Sequence, residues 1–251
     1  MSHLPWLSSS TIDFPPTSHA LKDPNGLLAA GGDLSPERLI TAYQRGIFPW
    51  YDETQPILWW SPSPRLILIP AELHVSKSMA KLLRKSAFRV TTDTAFAQVV
   101  NACAQPREQQ DGTWITEDIV NAYCQLHQLG YAHSVEVWEG QTLVGGLYGV
   151  ALGKVFFGES MFSRTSNASK YGFITLIKAL EKLDFRLIDC QVHTGHLASL
   201  GAKEIDRETF ENYLLHYISN HTSDNISSIC DNVSNTALRA QWPTALGTSF
   251  A

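Results

Sequence analysis

The chain has 251 residues, 44% apolar and 10% aromatic, which is the composition of a folded protein with one large or two moderate domains. Its formal net charge of -5 excludes a whole-surface basic field for nucleic acid, so any RNA contact has to use a local patch. No run approaches the roughly 20 apolar residues of a membrane span, and the opening "MSHLPWLSSSTIDFPP" lacks the basic and apolar regions of a secretory signal. The expectation is a cytoplasmic protein with no membrane partner. Cys103, Cys124, Cys190 and Cys230 are scattered, form no CxxC pair and fit reduced usage. His193 and His196 are close, but no second pair completes a zinc site; they read as loop and cap residues, and neither metal nor cofactor is expected.

In chain order, "DLSPERLITAYQRGIFPW" opens with a helix capped by Ser35, with Pro36 first inside it and Gly46 and Pro49 ending it. "ILWWSPSPRLILIP" reads as a strand, a Ser-Pro turn and a second strand. "HVSKSMAKLLRKS" is amphipathic: Lys77, Lys81, Arg84 and Lys85 share one face, and Val75, Met79, Leu82 and Leu83 the other. "FRVTTDTAFAQVVNACA" gives a strand, a cap at Asp93 and a helix. The polar loop "QPREQQDG" is the expected boundary between a domain of residues 1–108 and one of 109–220.

The second domain has a clear order. A helix capped by Thr116 closes at Gly130, and a hairpin turns at "EGQ". A third strand follows at "KVFFGES", then a helix capped by Ser166 or Asn167. "RLIDCQV" is a fourth strand, and short helices surround "HLASLG" and "ETFENYLLHYI". The strand–helix–strand unit predicts two adjacent parallel strands. Residues 221–251 are polar, rich in Ser and Asn, and read as a loosely ordered tail. The fold class is α+β: a small N-terminal α/β domain, then a C-terminal domain with the element order of N-acetyltransferase-like enzymes, a mixed sheet with flanking helices. Those enzymes hold coenzyme A pyrophosphate on a glycine-rich loop, where this chain has "SMFSRTSNASKYG" and no such loop.

"NGLLAAGGDLSPERLITAYQRGIFPWY", "WWSPSPR", "DGTWIT", "ESMFSR" and "DCQV", in this order, resemble the bacterial leucyl/phenylalanyl-tRNA–protein transferase family over about residues 11–220. The resemblance implies an aminoacyltransferase that moves Leu, Phe or Met from aminoacyl-tRNA to proteins with N-terminal Arg or Lys. It implies that the product is marked for N-end rule degradation. The competing readings are a coenzyme A-dependent N-acyltransferase, disfavoured by the absent glycine loop, and a non-catalytic RNA-binding module.

Ester aminolysis needs little base, because an α-amine of pKa about 7.7–8.0 is already partly neutral at cytosolic pH. Positioning matters more. Asp189 and Gln191, two apart in a strand, point to one face, and the resemblance makes them a catalytic relay. A buried Asp tying backbone N–H groups is the competing role. Glu159, at the end of the neighbouring strand, suits a cationic acceptor residue through charge-assisted hydrogen bonds, or else serves the dipole of the next helix. By motif position, Leu147, Phe156, Met161 and Leu176 match the aminoacyl pocket, with a core role equally open to Phe156 and Leu176. Trp50 and Trp114, with Tyr43 as a weaker candidate, match residues that hold the terminal adenosine. Trp59 and Trp60 read as core. Lys77, Lys81, Arg84 and Lys85 would meet tRNA phosphates, unless the run is only a solvated face.

Overall fold

The computed structural model describes residues 4–105, 113–218, 238–244 and 246. In chain order the first part contains β1 (Trp6–Leu7), β2 (Leu27–Gly31), α1 (Pro36–Gln44), β3 (Phe48–Pro49) and β4 (Leu58–Trp60). Next come β5 (Arg65–Leu68), α2 (Lys77–Arg84), β6 (Arg89–Thr92) and α3 (Phe96–Cys103). After the loop follow α4 (Glu117–Gln128), β7 (Ala132–Glu139), β8 (Thr142–Leu152), β9 (Val155–Ser163) and α5 (Ala168–Lys182). The last elements are β10 (Leu187–Gln191), α6 (Gly195–Ala198), β11 (Lys203–Ile205) and α7 (Arg207–Ile218).

Two sheets form. The smaller has the order β1-β2-β4-β3, and the larger β11-β5-β10-β9-β8-β7-β6. In the larger sheet only β9 and β10 run parallel, as the strand–helix–strand unit predicts, with α5 between them in sequence. The expected mixed sheet with flanking helices is therefore present. The larger sheet recruits β5 and β6 from the first half of the sequence. The expected division at residue 108 lies outside the described residues. Of the tail, residues 238–244 and 246 are described: Leu238 is buried and Trp242 stacks on His133.

Local signals explain most helix ends. The Ser35 hydroxyl accepts from the Arg38 N–H, Ser76 from Met79 and Thr116 from Ile119. Two caps differ from expectation. Asp93 does not cap α3; it bonds Ser134 N–H and His133 Nδ1, both at 2.8 Å. The donors ahead of α3 go instead to buried Glu136 on β7, which accepts the Thr94 and Ala95 N–H groups. Asn167 stands at the N-cap of α5 in a left-handed conformation, φ 68°, without a side-chain cap bond. Ser163 Oγ accepts the Ser169 N–H at 3.2 Å. A residue on an adjoining strand thus replaces the local cap in each case.

The larger sheet is covered on both faces. One apolar cluster joins it to α1, α3, α4 and α7, through residues such as Tyr43, Phe96, Tyr123 and Phe210. The other joins it to α2 and α5, through Met79, Leu83, Phe173 and Leu176.

Candidate active site

The site lies where β9 and β10 separate. Their parallel pairing runs Leu187 with Val155, Ile188 with Phe156 and Asp189 with Phe157, and goes no further. Each strand also carries an irregularity there. Opposite β8, Tyr148 pairs with Ser160 and Gly149 with Gly158, which leaves Glu159 as the extra residue. Opposite β5, Asp189 pairs with Ile67 and Gln191 with Leu66, which leaves Cys190 extra. Such bulges re-aim side chains and end pairing. Gly149 permits the first one, since a Cβ there would stand 2.1 Å from the Phe157 carbonyl oxygen. The result is a groove at the carboxyl ends of two parallel strands.

Asp189 is fully buried and paired twice with Arg65, Nε to Oδ1 at 2.8 Å and NH2 to Oδ2 at 2.6 Å. Arg65 is itself held between the rings of Phe48 and Phe210, 4.8 and 4.7 Å from their centroids. Asp189 Oδ1 also accepts the backbone N–H of Gln191 at 2.9 Å. Gln191 has φ 61°, and its Nε2 donates to Glu159 Oε1 at 3.0 Å. Glu159 Oε2 accepts from the Tyr123 hydroxyl at 2.9 Å, and Tyr123 in turn shares a hydrogen bond with Tyr43. Burial pushes the Glu159 carboxyl up to about 7; Tyr43 and Tyr123 oppose the rise and the Asp189 charge adds to it. Burial, and then the Glu159 charge, pushes the Tyr43 and Tyr123 phenols well above their usual range, so both stay neutral donors.

Two cavities of about 1020 Å³ each meet at this pair. Trp114, Glu159, Ser160, Gln191 and Val192 line both. The first adds Trp50 and Trp60 and the acids Asp52 and Glu53. The second adds Leu147, Met161 and Phe173, then Arg164, Ser169 and His196.

A family model described as leucyl/phenylalanyl-tRNA protein transferase matches residues 67–215, and one for its N-terminal domain matches residues 32–63. The leucyl/phenylalanyl-tRNA–protein transferase of Pseudomonas putida is 60% identical over 220 residues, 88% of this chain and 97% of that one. That of Pseudomonas fluorescens is 62% identical over 215 residues, 86% and 95% of the two chains. The chain belongs to the leucyl/phenylalanyl-tRNA protein transferase family. The solved structure of L-PGS from Bacillus licheniformis overlaps 68% of this chain and 57% of that one, at 11% identity and a TM-score of 0.36, too distant to bear on function.

The fold of this family member brings several of the expected residues to one groove. Asp189, Gln191, Glu159, Leu147, Met161, Trp50 and Trp114 all line it. Trp60, expected as core, is only half-buried, lines the first cavity and donates to the Trp50 carbonyl at 2.7 Å. Phe156 and Leu176 are fully buried and line neither cavity. Tyr43 is likewise buried and offers no ring surface to the groove; it stands behind Tyr123. Lys77, Lys81, Arg84 and Lys85 are all exposed on α2 and its C-cap, outside both cavities. The bulge at Cys190 breaks the strand alternation between Asp189 and Gln191, so their side chains take different partners and the two meet through a backbone N–H.

Sequence reasoning passed over Arg65, Tyr123, Ser160 and Val192. For Arg65 a signal existed: "RLILIP" holds a lone cation in an apolar strand, as "LIDCQV" holds a lone anion. Two such charges are cheapest when buried against each other.

Proposed function

We propose that this chain transfers Leu, Phe or Met from aminoacyl-tRNA to the α-amine of proteins whose N-terminal residue is Arg or Lys. The product carries a destabilising N-terminus for the bacterial N-end rule, and the reaction takes place in the cytoplasm. The observation that carries this reading is the Glu159–Gln191 junction, with indoles on one side and an apolar wall on the other.

On this reading the terminal adenosine stacks against Trp50 and Trp114, with such stacking worth about 1–3 kcal/mol per base. The aminoacyl side chain lies against Leu147, Met161 and Phe173; a Met-containing wall adapts to Leu, Phe and Met alike. The ester carbonyl then sits at the junction. The acceptor's neutral amine attacks it, a C–N bond forms, and the C–O bond to the 3′ ribose oxygen breaks. The proton lost by nitrogen ends on that ribose oxygen. Gln191 gives its amide N–H to Glu159, which leaves its carbonyl oxygen to accept from the incoming amine. Asp189 fixes the Gln191 backbone rather than its amide, and so acts as a positioning residue. Ionised Glu159 attracts the guanidinium or ammonium of the acceptor residue. The exposed basic face of α2 meets tRNA phosphates without reading sequence.

The test is incubation of the protein with leucyl-tRNA and a peptide beginning with Arg, read by mass spectrometry. The expected result is a peptide heavier by one leucyl residue, a much slower gain with a Gln-initiated peptide, and none with acetyl-CoA as donor. No gain with leucyl- or phenylalanyl-tRNA, or gain from acetyl-CoA, overturns the reading.

A further inference from the structure

Glu159 is the extra residue of the bulge between β8 and β9, so no ladder partner fixes where its side chain points. Two donors fix it instead. The Tyr123 hydroxyl gives to Oε2 at 2.9 Å, and the Gln191 amide to Oε1 at 3.0 Å. A phenol has a single proton to give. With the Tyr123 proton committed to Glu159, the hydrogen bond between the two phenols runs from Tyr43 to the Tyr123 oxygen. The chain therefore has a direction, from Tyr43 on α1 through Tyr123 on α4 to a carboxylate at the groove.

Packing does not require these hydroxyls. Both tyrosines are fully buried, Tyr43 with its ring 5.1 Å from that of Phe157 and Tyr123 edge-on to Tyr148 at 5.5 Å. Two phenylalanines would fill nearly the same space, and replacing both partners of a buried hydrogen bond by apolar groups is close to neutral. Two phenylalanines would not aim Glu159, and the other groups around it do not either. Arg65 and Asp189 are spent on each other. The Tyr148 hydroxyl makes no hydrogen bond among the described residues. Of the other cavity residues, Cys103 carries only a weak thiol donor, and Asp52 and Glu53 only acceptors. A carboxylate has about four acceptor sites. With one taken on each Glu159 oxygen, one on each remains, which matches the two parallel N–H groups of a guanidinium.

We propose that Tyr123, with Tyr43 behind it, is a positioning residue for the acceptor, holding the Glu159 carboxylate so that both oxygens meet an N-terminal arginine. This rests on the reading of Glu159 given above, and it assigns Tyr43 to the acceptor side of the groove rather than to the adenosine. The cavity in front of Glu159 fits a cation, with Asp52 and Glu53 among its described lining residues and no Lys or Arg. Both phenols also favour the ionised carboxylate against the burial that opposes it. Aim matters most for a two-point contact. Arginine therefore depends on the chain more than lysine, which presents a point charge.

The experiment measures kcat/KM at pH 7 for Arg-, Lys- and Gln-initiated peptides, with leucyl-adenosine as donor, in the native enzyme, Tyr123→Phe and Tyr43→Phe. Tyr123→Phe should lower the value for the Arg peptide by roughly tenfold, equivalent to about 1.4 kcal/mol. The Lys peptide should lose less and the Gln peptide least, and Tyr43→Phe should show the same order with smaller losses. The pH at which the Arg-over-Gln ratio rises should move upward in Tyr123→Phe, because the ionised carboxylate has lost a donor. In a Glu159→Gln background, Tyr123→Phe should change that ratio little further. An unchanged ratio in folded Tyr123→Phe overturns the inference, and so does an equal loss for all three peptides, which would make the phenols part of the fold alone. Should Tyr123→Phe fail to fold, the same outcomes in Tyr43→Phe decide. A raised KM for leucyl-adenosine in Tyr43→Phe, with the ratio unmoved, returns Tyr43 to the adenosine and overturns the inference as well. Failure of the native enzyme to transfer from leucyl-tRNA, or to prefer Arg over Gln, overturns the reading above instead, and is seen without any variant.

Discussion

Asp189 and Glu159 are carboxylates on neighbouring parallel strands, yet their surroundings are opposite. Asp189 has a full complement: a guanidinium in two bonds and a backbone N–H, all of it buried. Glu159 has only neutral donors, a phenol and an amide, and faces an open groove. A matched charge is fixed and serves as a structural anchor. An unmatched one costs free energy when ionised, and so responds to protons and to cations that reach it. The difference separates a residue that holds the site from a residue that can answer a ligand.

The sharpest way to break that contrast is at Arg65. Arg65→Met keeps much of the stem between Phe48 and Phe210 but leaves Asp189 buried without a counter-charge. Removing one partner of a buried pair costs about 3–5 kcal/mol, whereas removing both is far milder. Urea unfolding should show a large loss for Arg65→Met and substantial recovery in Arg65→Met with Asp189→Leu. A single-variant loss below about 1 kcal/mol would mean that the pair does not anchor the fold.

The second test sits on the other carboxylate. Glu159→Gln keeps shape and removes charge. We expect Arg- and Lys-initiated peptides to lose roughly 10- to 100-fold in kcat/KM, the worth of one charge-assisted hydrogen bond. Gln-initiated peptides should lose far less. A uniform loss across all three would make Glu159 a second anchor and erase the distinction.

Much of this was legible in the sequence, and the failures have physical causes. The caps at Ser35 and Thr116, the hairpin at "EGQ" and the β9–α5–β10 unit are local, set by turn and cap chemistry over a few residues. Glu159 and Asp189 stood out as acids in apolar strands. What could not be read is long-range. Arg65 lies 124 residues from Asp189, and Tyr43 lies 80 from Tyr123. The donors ahead of α3 go to Glu136, 41 residues from Ala95. Phe156 and Leu176 match pocket positions by motif but point into a packed core, because apolar strand and helix residues serve either purpose. The two bulges that open the groove involve no residue with a distinctive propensity apart from Gly149 and its partner Gly158.

A smaller effect tests the aromatic side of the groove. Trp114 is half-buried at the wall shared by both cavities. Trp114→Ala should raise KM for leucyl-adenosine by roughly tenfold, within the range for one stacked base, with unfolding little changed. Unaltered use of that donor would place the adenine elsewhere, with Trp50 and Trp60, whose rings lie 5.4 Å apart, as the remaining platform.

The smallest expected effect comes from pH alone and bears on Glu159 without any mutation. Its carboxyl is raised to about 7 from an ordinary value of 4.5, chiefly by burial. Folding therefore favours the protonated form: this group's stabilising contribution is complete below about 4.5 and is lost as pH rises through about 7. Glu159→Gln should remove that loss, so the variant should gain stability relative to the native protein as pH goes from 5 to 8. Cationic acceptors prefer the ionised form, so their binding below pH 7 should release a proton. The ratio of kcat/KM for Arg- over Gln-initiated peptides cancels the titration of the shared α-amine. That ratio should climb several-fold between about pH 6 and 8, where a group of pKa about 7 goes from roughly one-tenth to nine-tenths ionised, and then level off. In Glu159→Gln it should be flat. A flat ratio in the native enzyme would mean that Glu159 is already ionised at pH 6, matched by its neighbours as fully as Asp189 is.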